Sequence, residues 1–113
     1  MKDDNSPKAV RDCRELLLWI IPHIDKLPRN RRYTLGEKLE GRLIQVLELL
    51  VSAAYAKQKR QFLAQANIDL EVCRHLWRLC YDFRAVSVGS YQHGSKLFFE
   101  LGAQVGSWQR ASV

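Results

Sequence analysis

The spacing of apolar residues between positions 10 and 27 constrains the fold more than any other feature of the chain. These residues recur every three or four positions, which keeps them on one face of an α-helix. The stripe consists of Val10, Cys13, Leu17, Ile20, Ile24 and Leu27. Pro22 lies inside the predicted helix, where it removes one backbone hydrogen bond, and Pro28 ends it. The chain begins with the polar stretch MKDDNSP, so we predict a flexible segment over residues 1–9 and a single folded domain over residues 10–113.

Three further segments show the same helical periodicity. In the second, Thr34 is followed three residues later by Glu37, which predicts a capping box at the helix start. Its stripe contains Leu35, Leu39, Leu43, Val46, Leu50 and Ala54. The third segment follows a short break at AKQK. Its inward-facing residues should be Phe62, Ala66, Cys73, Leu76, Cys80 and Phe83. The fourth segment should begin with Ser87 as its N-terminal cap. Its inward-facing residues should be Leu97, Leu101, Val105 and Trp108.

Four amphipathic helices with short connections predict an all-α, antiparallel up-down-up-down four-helix bundle. In that topology the first and third connections share one end, with Lys26, Arg29, Arg31, Arg32 and Arg84. The second connection lies at the other end, as a secondary basic patch of Lys57, Lys59 and Arg60. Because Lys and Arg outnumber Asp and Glu by 18 to 12, giving a formal charge of +6, nucleic acid or an acidic protein surface is the expected partner.

Arg74 and Arg78 lie four residues apart on the third predicted helix. Like charges at this spacing destabilise a helix by roughly 0.2–0.5 kcal/mol, so a counter-anion is expected. Glu71 and Asp82 offer intramolecular salt bridges. Alternatively, the two arginines form a binding face for phosphate or for a partner carboxylate.

Gly102 and Gly106 form a G-x-x-x-G pattern in the fourth predicted helix. A glycine inside a helix costs about 1 kcal/mol relative to alanine, which suggests a close backbone approach, either within the bundle or at an oligomer interface. Several apolar residues off the main stripes also suggest burial against something else: Leu16, Leu18, Ile21, Leu49 and Leu79.

The sequence lacks the usual signatures of an enzyme, a metal site or a membrane segment. Cys13, Cys73 and Cys80 have no C-x-x-C spacing, so we expect reduced core residues in a cytoplasmic protein. No metal, cofactor or catalytic residue is predicted, although a small enzyme stays a minor hypothesis. The longest apolar run, LLLWII at 16–21, is far shorter than the roughly 20 residues that span a bilayer, so no membrane association is expected.

Residues 15–108 carry a family resemblance. The pattern W-x-x-P, K-x-P-R and R-[YF]-T-L-G-x-x-L-E is present as Trp19, Pro22, Lys26, Pro28, Arg29, Arg32, Tyr33, Thr34, Leu35, Gly36, Leu39 and Glu40. Together with the closing ELGAQVGSW, it resembles the four-helix-bundle family of accessory variability determinant proteins of diversity-generating retroelements. This family also includes the proteins encoded by intervening sequences of bacterial large-subunit ribosomal RNA genes.

The resemblance implies a non-enzymatic homopentameric ring that associates with a reverse transcriptase and with RNA or DNA, supporting mutagenic reverse transcription. It assigns nucleic-acid or polymerase binding to Lys26, Arg29, Arg32, Arg74 and Arg78. Arg31 is added on charge alone. The alternative is an intervening-sequence-type protein that acts as a protein–protein scaffold without a retroelement role, and the arginine content favours the retroelement branch.

Overall fold

Most of each predicted stripe lies on a long α-helix in the computed structural model, which describes residues 6–112. The exceptions are Leu27, Leu35 and Phe83, which lie just outside the long helices. The helices are α1 (Lys8–Asp25), α2 (Glu37–Tyr55), α3 (Arg60–Asp82) and α4 (Val88–Ala111). The described residues contain no β-strand, which confirms the all-α class. Helix α1 begins at Lys8 and buries Ala9, so the helical domain starts before the predicted Val10. Residues 1–5 of the predicted flexible segment lie outside the described residues.

The helices pack as an antiparallel bundle. Trp77 Nε1 donates a hydrogen bond to the Tyr91 carbonyl at 3.0 Å, and Asn67 Nδ2 donates to Gln109 Oε1 at 2.9 Å. As residue numbers rise along α3, the numbers of the contacting residues fall along α4, so the two helices are antiparallel. Helix α2 packs against α1 and α3, and α4 also packs against α1, which closes the four-helix bundle.

The core confirms most of the predicted stripes. Fully or nearly fully buried are Val10, Cys13, Leu17, Ile20, Ile24, Leu27, Leu39, Leu43, Val46, Leu50, Ala66, Cys73, Cys80, Leu101 and Val105. Only half-buried are Leu35, Ala54, Phe62, Leu76, Leu97 and Trp108. Phe83 was predicted inward and this is wrong, since its side chain is 52% exposed. It follows Asp82, the last residue of α3, so helical periodicity no longer sets its direction. The inward face of α3 includes instead Leu63, Leu70 and Trp77.

The chain between α1 and α2 is itself helical. One α-helical turn, Arg29–Arg31, starts after Pro28, and a π-helical segment, Arg32–Gly36, continues directly into α2. A Cβ atom on Gly36 would lie 3.0 Å from Ile24 Cγ2, so the absence of a side chain lets this segment pack closely against the end of α1. Cations expected in a loop are therefore held on a helical backbone.

The predicted capping box at Thr34 and Glu37 is wrong. No side-chain cap is formed at the start of α2, and the Thr34 hydroxyl donates to the Asn30 carbonyl at 3.0 Å. The backbone is already helical at Thr34, so no free N–H group is left there for its side chain to cap. The predicted cap of α4 is confirmed, because Ser87 Oγ accepts a hydrogen bond from the Ser90 N–H at 3.1 Å.

The three cysteines are free and buried, as predicted. Burial raises the pKa of Cys13 to about 12 and that of Cys80 to about 11. The pKa of Cys73 is also raised to about 12, first by burial and then by the nearby Asp69 carboxylate. These thiols pack as small apolar groups and are not poised as nucleophiles, which need a lowered pKa.

Candidate nucleic-acid interface

One end of the bundle gathers the cations of the first and third connections. We call this surface the basic tip, and it consists of Lys26, Arg29, Arg31, Arg32 and Arg84. The Arg31 guanidinium lies 4.0 Å from the centroid of the Phe83 ring, which joins the first connection to the end of α3. The structure thus brings together the two connections that the bundle topology predicted at one end.

Two arginines of the basic tip are oriented by contacts within the chain. Arg32 Nη1 donates to the Asp25 carbonyl at 3.1 Å, and Arg32 Nη2 lies 3.4 Å from the Tyr33 hydroxyl. A guanidinium on a carbonyl of the last turn of α1 stabilises the negative end of the helix dipole. Arg31 is held by its stacking on Phe83. Both guanidiniums keep their charge in a defined position.

Lys26 and Arg29 are exposed, whereas Arg31 and Arg32 are half-buried. Among residues 6–112, no carboxylate forms an ion pair with either of them. Arg29 has one aromatic neighbour, the Tyr33 ring, at 5.9 Å. An incoming phosphate would displace no ion pair here, so these two cations are best placed to bind one.

Arg74 and Arg78 form the intramolecular salt bridges that the sequence allowed. Arg78 Nε donates to Asp82 at 2.9 Å, and Arg74 Nη1 lies 3.5 Å from Glu71. Arg78 also contacts the Tyr91 hydroxyl at 3.4 Å. That contact is the main reason why the pKa of Arg78 is raised and that of Tyr91 lowered. Both arginines point from the exposed side of α3, but their charges are already partnered.

The opposite end of the bundle presents fewer available cations than the sequence suggested. Lys59 Nζ donates to the carbonyls of Ala53 and Ala56, each at 2.8 Å. Its ammonium group therefore caps the carboxyl end of α2. Lys57 and Arg60 are exposed and are what the secondary basic patch offers to a partner.

The two glycines of the G-x-x-x-G pattern do not meet a neighbouring helix. A Cβ atom at Gly102 would have nothing within 4 Å, and one at Gly106 would meet only Arg110 of the same helix, at 3.4 Å. Tight packing inside the bundle is therefore wrong as their explanation. An oligomer contact is the interpretation that stays open for this strip of α4.

A groove of about 570 Å³ between α1 and α4 has the opposite charge. Asp12, Glu15 and Glu100 line it, with Lys8 as its basic residue, and Lys8 is paired with Asp12 at 2.8 Å. Three carboxylates disfavour phosphate. The groove is therefore an acidic surface, distinct from the basic tip, on a chain that is basic as a whole.

The polar group that sequence reasoning missed is Asp69, which is fully buried. Its Oδ1 accepts hydrogen bonds from Arg42 at 2.9 Å and Gln65 at 3.1 Å. Oδ2 has no hydrogen-bond partner among the described residues. Its spacing was the available signal, since Asp69 lies three residues after Ala66 and four before Cys73, on the buried face of α3. The resulting ion pair links α2 to α3 inside the bundle.

Two further features concern metal binding and membrane insertion. Within residues 6–112, no group of three or more His, Cys, Asp or Glu side chains is arranged to hold a metal ion. None of the helices described there is long and apolar enough to cross a membrane.

The fold and the basic tip define a basic four-helix-bundle protein with a cationic end. Comparison with protein families is consistent with that class, because the bAvd-like family model matches residues 9–112. The chain belongs to the bAvd-like family, and the resemblance to accessory variability determinant proteins is confirmed. No curated protein and no solved structure matches the chain.

Proposed function

We propose that this protein is a non-enzymatic accessory subunit of a diversity-generating retroelement. It binds RNA or cDNA at the basic tip and binds the retroelement reverse transcriptase, supporting mutagenic reverse transcription. The observation that carries the proposal is the family match over residues 9–112. The nucleic-acid part is supported by the formal charge of +6 and by the exposed cations Lys26 and Arg29, which form no ion pair within residues 6–112.

Binding at the basic tip would be electrostatic. Each phosphate that a Lys or Arg neutralises releases condensed counterions, so affinity falls steeply with salt. Contacts to phosphate carry little sequence information. The protein would therefore hold a template or product strand near the polymerase without selecting its sequence.

We also propose a homopentamer, as the family resemblance implies. Exposed apolar residues on all four long helices would supply surface for subunit contacts: Leu18, Ile44, Val51, Ile68 and Phe99. Gly102 would let a neighbouring subunit approach α4 closely. With +6 on each chain, a ring of five would carry a formal charge of +30, which strengthens counterion release. Sedimentation equilibrium tests the assembly, since five chains of 13.1 kDa give about 65 kDa.

A protein scaffold without a nucleic-acid role is the second candidate. The observation that favours it is the pairing of Arg74 and Arg78 with carboxylates of the same chain, which leaves these two less available to phosphate. In this case the remaining cations of the basic tip would meet an acidic protein surface.

Co-purification with a retroelement reverse transcriptase tests the proposal. The affinity-tagged protein is expressed with the reverse transcriptase and template RNA of a retroelement from the same source, and cDNA yield and misincorporation are measured with and without it. We expect retention of the enzyme and a gain in mutagenised cDNA that depends on Lys26 and Arg29. A Lys57→Gln/Arg60→Gln variant removes the same charge from the opposite end and serves as the matched control. Retention without any RNA dependence would favour the scaffold, and neither retention nor cDNA gain would refute the accessory role.

A further inference from the structure

The basic tip contains an exposed aromatic ring with two guanidinium groups nearby. The Tyr33 side chain is 54% exposed. The guanidinium carbons of Arg32 and Arg29 lie 5.0 and 5.9 Å from the ring centroid, both within the range of cation–π attraction. The Tyr33 hydroxyl also lies 3.4 Å from Arg32 Nη2. These contacts orient the ring but leave more than half of the side chain accessible.

Open space adjoins the Tyr33 ring. Tyr33 lines two surface depressions. One, of about 380 Å³, is shared with the apolar Ile24 and Ile44 and with the carboxylates of Asp25, Glu37 and Glu40. The other, of about 530 Å³, is shared with Leu35, Glu37 and Lys38. The apolar neighbours suit a flat, weakly polar group. The carboxylates of Asp25, Glu37 and Glu40 disfavour a phosphate or an acidic side chain inside the depressions, so the phosphates of a bound strand would lie outside them, on Lys26 and Arg29.

We infer that the basic tip is a single-strand site, in which an unpaired base stacks on Tyr33 while flanking phosphates lie on Lys26 and Arg29. The inference rests on the proposed nucleic-acid binding and deepens it by naming the class of ligand. Aromatic stacking beside a basic groove is how many proteins bind single strands without sequence preference. Bases of a duplex are already stacked on each other and cannot use the ring.

Two other exposed aromatic side chains, Tyr55 and Phe83, differ from Tyr33 in one of the two components. Tyr55 is 88% exposed, but no arginine among the described residues stacks on its ring, and the neighbouring Lys59 ammonium caps α2. Phe83 is exposed to a similar degree, but the Arg31 guanidinium lies 4.0 Å from its ring centroid, closer than either arginine lies to the Tyr33 ring. Tyr33 thus combines an accessible ring with an adjacent arginine, Arg29, that forms no ion pair among residues 6–112. Tyr55 is its natural control.

Fluorescence anisotropy with an unstructured single-stranded RNA and with the duplex that it forms with its complement tests the inference. The proteins compared are the wild type, Tyr33→Leu, Tyr33→Phe and Tyr55→Leu, after confirming equal helicity and assembly. Tyr33→Leu should weaken single-strand binding by roughly 5- to 150-fold, the range measured for loss of one stacked base. Duplex binding should change by less than about twofold, because electrostatic contacts to phosphate are kept. Tyr33→Phe retains the ring and should bind single strands like the wild type, and Tyr55→Leu should have no effect.

Each other outcome overturns the inference in a distinguishable way. If the wild type binds RNA with steep salt dependence but Tyr33→Leu leaves single-strand affinity unchanged, or weakens single-strand and duplex binding equally, stacking is refuted and the proposed function stands. If Tyr33→Leu loses the reverse transcriptase while its RNA affinity is unchanged, Tyr33 belongs to a protein interface. If the wild type binds neither RNA, both the inference and the proposed nucleic-acid binding fail.

Discussion

Replacing Arg42 by methionine should destabilise the bundle far more than the loss of a surface charge would. The partner carboxylate of Asp69 is 0% exposed, whereas the Arg42 side chain is 37% exposed. Arg42 can therefore stay hydrated without its partner, but Asp69 cannot. Removing one member of a buried pair typically costs about 3–5 kcal/mol. Because Gln65 still donates one hydrogen bond to Asp69 at 3.1 Å, we expect about 3 kcal/mol.

A double substitution separates the charge from the packing. Methionine keeps much of the aliphatic bulk of Arg42, and Asp69→Asn replaces the carboxylate by a neutral amide of the same shape. The Arg42→Met/Asp69→Asn variant should be more stable than Arg42→Met by at least about 1 kcal/mol, because an uncompensated charge is no longer buried. Urea unfolding at neutral pH, followed by far-UV circular dichroism, measures these free energies. The protein concentration is held constant, since assembly adds to apparent stability.

Two results would refute this reasoning. A loss below about 1 kcal/mol for Arg42→Met would mean that Asp69 reaches water or another partner, since exposed pairs contribute only that much. A double variant no more stable than Arg42→Met would mean that the loss comes from packing and not from the buried charge.

Three further substitutions or reagents test local features of the bundle. Gly94→Ala should cost about 1–3 kcal/mol in urea unfolding, because a Cβ atom there would lie 2.6 Å from Trp77 Nε1; an unchanged midpoint would contradict this packing. Arg84→Gly should raise the free energy of unfolding by about 0.5–1 kcal/mol, because Arg84 has φ of 59°, which is strained for a residue with a side chain; a less stable variant would show that its side chain outweighs the strain. With pKa values of about 12, Cys13 and Cys73 should resist a thiol reagent at pH 8 until urea unfolds the chain. Thiols of the unfolded chain ionise near pH 9, whereas the two buried thiols ionise only near pH 12. The free energy of unfolding should therefore fall as pH rises from about 9 towards 12. Fast labelling of the folded protein would contradict the burial of Cys13 and Cys73.

Helix number and most of the core could be predicted because both follow from one physical rule. A stripe repeating every three or four residues has to be buried on one side, and Val10, Leu43, Cys73 and Val105 are all buried as that rule requires. Short connections then leave few ways to arrange four helices. Ser87 could be predicted as a cap because the residues immediately before it, 83–86, are not helical.

The details of the site depended on contacts between distant segments. Thr34 has the sequence of a cap, but Pro28 starts the helical backbone earlier, and no local pattern distinguishes the two starts. Lys59 has the composition of a basic patch, yet its ammonium group reaches the end of α2. Exposure of Tyr33 and burial of Asp69 are set by the neighbouring helices, which periodicity within one helix does not describe.

The measurement that tests the central claim most directly is the salt dependence of RNA binding by two charge-matched variants. Lys26→Gln/Arg29→Gln alters the basic tip, and Lys57→Gln/Arg60→Gln alters the opposite end. Each lowers the formal charge of the chain from +6 to +4, so net charge alone predicts the same loss for both.

If nucleic acid binds at the basic tip, the slope of log affinity against log salt for a single-stranded RNA should fall by about 1.4 in the tip variant, or about 0.7 for each phosphate contact removed. It should be unchanged in the control. Equal changes in both variants, or a change confined to Lys57→Gln/Arg60→Gln, would contradict the assignment of nucleic acid to the basic tip.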